Sequence, residues 1–117
     1  MARYKWLVFS NCTPGDDEAF NQWYDEIHIP DLLRIPGVVG ATRSHLAPQH
    51  LRVLEDGSMD ICGPEGIGAG FGYLAVYELD TDDAPAVLRE VISRANTPEM
   101  MLSPTLADVH TILYQDR

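Results

Sequence analysis

Positive charge is scarce in this chain. Its 117 residues hold 8 Lys and Arg against 18 Asp and Glu, a formal net charge of −10 with a pI near 4.5. Nucleic-acid binding needs clustered Lys and Arg, so no nucleic-acid partner is expected. Anionic membrane surfaces would repel such a chain. A strongly anionic substrate is disfavoured too, although one local arginine can still accept a carboxylate or phenolate. A neutral or weakly acidic organic molecule fits better.

Cysteine is equally sparse. Cys12 and Cys62 lie far apart without C-x-x-C spacing, so two free thiols in a cytoplasmic protein are expected. No apolar run approaches the ~20 residues of a membrane span. Met1 to Trp6 has two basic residues but neither a long apolar core nor a small-residue cleavage site, so no signal peptide is read. His28, His45, His50 and His110 form none of H-x-H, H-x-x-x-H or H-E-x-x-H, and no metal is expected. The Gly63–Gly70 stretch lacks the Lys-Ser/Thr of a phosphate loop and precedes no helix. With no dinucleotide or flavin fingerprint either, no cofactor is expected. Ser10, Ser44 and Cys12 sit in no nucleophile elbow.

What remains is a soluble globular composition, 45% hydrophobic and 22% charged, of a size for one domain over 1–117. Phe20 to Asp31 reads as an amphipathic helix. At ~100° per residue, Trp23, Ile27, Phe20, Tyr24 and His28 form its apolar stripe, with His28 at the margin. Pro30 lacks the N–H that would bond Glu26, so a bend or restart at Ile29-Pro30 is expected. Pro36-Gly37 ends the segment.

Strands are expected at Tyr4–Phe9, Val38–Leu46, Phe71–Leu79 and Thr105–Tyr114, with a second helix over Ala84–Ala95 behind the N-cap chemistry of Asp80–Asp83. In the second strand Val39, Ala41, Arg43 and His45 share one face. Residues 48–70 read as a turn-rich connection, a surface loop or a lid. The order is β-α-β-β-α-β, an α+β ferredoxin-like fold with an antiparallel four-stranded sheet. Trp6 and Val8 oppose Leu7 and Phe9, and Tyr73 and Tyr77 oppose Leu74 and Val76, so both sheet faces are apolar. A two-fold homodimer, sheet on sheet, would bury the second face.

The motif F-x-x-W-Y-x-x-H-x-P-D-x-x-x-x-P-G, from Phe20 to Gly37, resembles the signature region of EthD-like proteins in the dimeric α+β barrel superfamily. Phe9-Ser10-Asn11 and Tyr73 to Glu78 resemble that group as well, so the likeness spans nearly the whole chain. It implies a dimeric barrel with a pocket inside each subunit, between helices and sheet. Relatives of this architecture include lyases, isomerases, cyclases, cofactor-free oxygenases and proteins without assigned chemistry.

General acid–base work by His28 fits these residues best. Phe9, Trp23, Tyr24 and Tyr73 would line an aromatic pocket for an apolar, aromatic or polyketide-like molecule. Arg43, Asn11 or a tyrosine hydroxyl would steady a developing enolate or phenolate. Asp31 either orients His28 or caps the turn after Pro30. Arg43 has the alternative of an exposed strand arginine paired to a carboxylate. The expected outcome is elimination, isomerisation or cyclisation; the alternatives are a cofactor-free monooxygenase and a non-catalytic binding or accessory protein.

Overall fold

Alternation along the first strand decides which side of the sheet is core. In β1 (Ala2–Cys12) Trp6, Val8 and Ser10 are buried, while Leu7 and Phe9 between them are only partly so. The computed structural model describes residues 2–117. After β1 come α1 (Asp17–Trp23), a π-helical turn (Tyr24–His28), α2 (Ile29–Leu33) and β2 (Val38–His45). A hairpin of β3 (His50–Val53) and β4 (Met59–Cys62) follows, then β5 (Tyr73–Thr81), α3 (Ala84–Arg94) and β6 (Leu106–Gln115).

The main sheet has the order β2-β5-β1-β6, antiparallel throughout. With the hairpin set aside, the connectivity is β-α-β-β-α-β with its first and third strands central, the ferredoxin-like α+β fold expected. One face carries Trp6, Val8, Ala75, Tyr77 and Leu79, packed under Phe20, Tyr24, Leu32, Ile35, Val87 and Met100. The side chain of Asp83 caps α3 by accepting a hydrogen bond from the Ala86 N–H at 3.1 Å. Gly37 closes the corner after α2. Its φ is +98°, and a Cβ there would come within 2.8 Å of Val87 on α3.

The opposite face joins Leu7 and Phe9 to Val76, Leu74 and Ile112 through the strand register, and all five are partly exposed. Among the described residues no helix is long and apolar enough to cross a membrane.

Four expectations need correction or refinement. The expected restart is there, with α2 beginning at Ile29 and Pro30 in its first turn, but it follows a π turn without a break in the helical backbone. Tyr24, His28 and Ile29 all keep right-handed helical angles, and the Ile29 N–H bonds the Tyr24 carbonyl five residues back. The reason lies in packing. Phe20, Tyr24, His28 and Leu32 are all buried, at four-residue spacing. In a regular α-helix each such step drifts by about 40°, so Leu32 would sit roughly 120° from Phe20. A π turn holds more residues per turn and reverses that drift, which keeps the stripe straight. For the same reason Ile27, expected inside, is half exposed, and His28, expected at the margin, is buried.

A bulge in β2 corrects the third expectation. Val38 pairs with Leu79 and Gly40 with Glu78, leaving Val39 as the extra residue. The extra residue flips the chain, so Val38 joins the core while Val39 faces solvent. Finally, residues 48–70 are not irregular. They contain the β3–β4 hairpin and a 3₁₀ turn at Pro64–Ile67.

Packing outweighs the proline here. Restoring α register would swing Leu32 and Ile35 out of the core, at about 2–5 kcal/mol each by analogy with truncation. The helix would recover at most ~3 kcal/mol from losing a mid-helix proline. Pro30→Ala should therefore keep the π turn, leave the His28 ring resonances in place and change stability by less than about 1 kcal/mol. Leu32→Ala should cost about 2–5 kcal/mol in urea unfolding. A large shift of the His28 signals in Pro30→Ala would show that the proline sets the turn.

Candidate functional site

The straightened stripe carries His28 into the interior. Its ring stacks on Trp23 with centroids 4.6 Å apart and planes 22° from parallel, and it meets Tyr24 edge-on at 4.9 Å and 89°. Nδ1 is enclosed and has no hydrogen-bond partner. A cavity of about 170 Å³ opens between helices and sheet, with His28, Tyr24, Tyr77, Trp6, Met100 and Thr111 among its walls. Burial is the main force on the imidazole, holding its pKa down from 6.5 to about 4. The Asp31 carboxylate pulls the other way and the Arg43 charge adds to the depression. At neutral pH His28 is an uncharged ring with an unused nitrogen.

Two phenols stand beside it. The Tyr77 hydroxyl donates to the Tyr24 hydroxyl at 3.4 Å, and burial raises the pKa of both. Both therefore remain neutral donors. Having accepted from Tyr77, Tyr24 has its own proton free, with no protein acceptor among the described residues. Arg43 lies on the other side of the Tyr24 ring, its guanidinium carbon 4.1 Å from the ring centroid and 5.5 and 5.6 Å from those of Phe20 and Tyr73. It also bonds Asp25 at 2.9 Å. The carboxylate pairing considered for Arg43 is present, but the side chain is only 13% exposed. An exposed strand arginine is not what it is.

The structure brings His28, Tyr24, Trp23 and Arg43 together and sets other sequence candidates apart. Trp23 is fixed by its indole N–H, which donates to the Met101 carbonyl at 3.2 Å. Asp31 bonds Arg34 at 2.5 Å and acts on His28 only through its field. Tyr73 points into a separate open recess of about 790 Å³ with Asp17, Asn21, Asp25 and His45. There its hydroxyl donates to Asp17. That recess is larger and more open, and its walls are mixed, with carboxylates and an arginine beside Leu46 and Tyr73. The smaller apolar cavity holds the strongly perturbed titratable group and is the better candidate.

Phe9 lies on the far sheet face, beside Phe71 and His110. Asn11 is spent on a loop, donating to the Gly70 carbonyl and accepting from the Gly72 N–H at 2.8 and 2.9 Å. Cys12 is held near Asp17, with its thiol pKa raised mainly by burial. Among the described residues no three His, Cys, Asp or Glu side chains gather as a metal would require. Tyr77 was not singled out from sequence. Face parity with Tyr73 and its register with Trp6 are the signal that marks it.

The buried neutral imidazole has a consequence for stability. In the unfolded chain His28 takes up its proton near pH 6.5, in the folded chain only near pH 4. Wherever the unfolded state binds more protons, stability rises with pH. Above about pH 6.5 His28 has no effect; from there down to about pH 4 it should remove roughly 3 kcal/mol of stability. Urea unfolding of wild type and His28→Phe should diverge by about that amount across this window. Parallel profiles would mean that the ring is protonated as readily inside as outside.

No protein-family model matches the chain, and no curated protein does. Among solved structures it is similar to an ethyl tert-butyl ether D (EthD) family protein of Bacillus halodurans, at 15% identity and a TM-score of 0.48 over 100% of both chains. It is also similar to a dimeric ferredoxin-like protein of unknown function from Thermobifida fusca. There the identity is 14% and the TM-score 0.47, over 97% of this chain and 90% of the other.

Proposed function

We propose that the cavity beside His28 binds a small, neutral, largely apolar organic molecule, and that His28 moves a proton on it without a cofactor. One observation carries this reading: an unpartnered neutral imidazole buried against an apolar cavity, next to a phenol with a free proton. Volume sets the scale. A cavity of roughly 150 Å³ accommodates benzene, so about 170 Å³ suits a single ring better than a polycyclic polyketide. A neutral imidazole in apolar surroundings offers an anion no compensating charge, which favours a neutral substrate.

In this reading His28 takes a proton from carbon next to a carbonyl. The electron pair moves onto the carbonyl oxygen, where the Tyr24 hydroxyl, polarised by Tyr77, donates a hydrogen bond. Imidazolium and enolate then form an ion pair. Their attraction in a poorly screened cavity offsets the burial that keeps the empty site's imidazole neutral. Return of the proton to another carbon is isomerisation. Loss of a β-substituent that takes the proton away is elimination. Attack of the enolate carbon on a second carbonyl closes a ring. Trp23 holds the imidazole plane by stacking, and Arg43 makes the Tyr24 hydroxyl a better donor.

Exchange of carbon-bound protons for deuterium tests the shared first step without knowledge of the product. Monocyclic ketones in D₂O, followed by NMR, should lose their α-proton signals faster with wild type than without protein. Tyr24→Phe should slow this by on the order of a hundredfold, and His28→Ala should abolish it while ligands still bind. Binding without exchange would make the protein a carrier instead of a catalyst.

A further inference from the structure

Apolar exposure is concentrated far from the cavity. Of thirteen large apolar side chains left exposed, six fall between residues 51 and 67: Leu51, Val53, Leu54, Met59, Ile61 and Ile67. Leu51 pairs with Ile61 and Val53 with Met59, so these four share one face of the β3–β4 hairpin. They are 60, 66, 61 and 64% exposed, in that order.

The hairpin is nevertheless well built. On its reverse face Arg52 holds Asp60 through Nε and Nη2 at 2.9 and 2.6 Å. The 3₁₀ turn packs back so closely that a Cβ on Gly66 would lie 2.7 Å from the Cys62 sulfur. Yet neither strand packs to any extent on the main sheet or the helices. The radius of gyration is 16.1 Å, against about 13 Å for a globule of this length. An isolated two-stranded hairpin is marginal in water, and this one leaves its whole apolar face unused.

Its root is tied to the sheet face that the helices leave open. The Leu46 N–H bonds the Gly72 carbonyl at 2.8 Å, and Asn11 holds Gly70 and Gly72 from the end of that face. Phe71 lies 6.0 Å from Phe9 and stacks on His110 at 6.2 Å and 18°. An apolar crevice of about 200 Å³ opens there, with Phe9, Leu46, Phe71 and Leu74 among its walls.

We propose that the hairpin is an arm that seats Leu51, Val53, Met59 and Ile61 on the open sheet face of a second copy of this chain. Area selects that occupant. A stable interface buries ~800 Å² per partner. Leu7, Phe9, Leu74, Val76 and Ile112 on the sheet face are only partly exposed, whereas the four arm residues are 60–66% exposed. A two-fold contact adds both arms at once, because each copy presents the same surface. Charge agrees. Two chains of −10 repel, but the four arm residues are uncharged and Arg52 and Asp60 neutralise each other behind them. At the margin of the sheet face, Lys5 pairs in register with Glu78. A basic partner would be drawn to the acidic surface elsewhere.

Sedimentation equilibrium of wild type, Leu51→Ser/Ile61→Ser and the control Ile92→Ser tests this. Wild type and the control should be dimers at micromolar concentration. The double variant should dissociate at least on the order of a hundredfold more readily, with unchanged circular dichroism because both positions are exposed. A monomeric wild type, or a double variant dimerising as tightly, would overturn the proposal. A benzophenone amino acid in place of Met59 checks it in an otherwise unaltered chain. Crosslinks to β1 or β6 of a second copy are expected; links only within its own chain, or none, would also overturn it.

Discussion

Four side chains at four-residue spacing, Phe20, Tyr24, His28 and Leu32, must face the same sheet, and a regular α-helix cannot hold them there. The π turn at Tyr24–His28 resolves that conflict, and the rest of the site depends on it. It keeps Tyr24 and Leu32 in the core while bringing His28 inward with them. A titratable ring thus occupies a position that an α-helix would have left at the margin. Burial, with a smaller push from the Arg43 charge, then holds the imidazole pKa down to about 4, so the ring stays neutral well below neutral pH.

Tyr24 links the two halves of the site. One edge meets His28, one face supports the Arg43 guanidinium, and its hydroxyl accepts from Tyr77. The positive charge therefore reaches the cavity through the phenol's donor strength and through its own field on His28. Asp25 takes up Nη1 of Arg43, while Nε and Nη2 are buried without a partner. The apolar cavity and the recess that Arg43 lines share no wall residue.

Much of this was legible in the residues. Alternation in Trp6-Leu7-Val8-Phe9 and the spacing of Trp23, Tyr24 and His28 give the topology and the main candidates, and the Phe20–Gly37 motif singles out His28. Its depth was not legible, because a fixed 100° rotation cannot report a π turn that tertiary packing imposes. The β2 bulge escaped for a similar reason, since one extra residue, Val39, inverts the parity of everything before it. The hairpin left a signal that went unread. Leu51 and Val53 alternate, as do Met59 and Ile61, but Pro64 and the glycines at 63, 66, 68 and 70 suggest a turn-rich connection. Phe9 and Asn11 drew attention through family likeness, whereas strand parity already sets Phe9 on the face opposite Trp6 and Val8.

The central claim is that His28 is a neutral, enclosed imidazole in the empty cavity. Its protonation can be followed directly, by NMR titration of the histidine ring signals with His28→Phe identifying the resonance. A midpoint near pH 4 is expected, with the neutral ring persisting at pH 6. A midpoint near the ordinary 6.5 would mean that water reaches the ring, and the site described here would not exist.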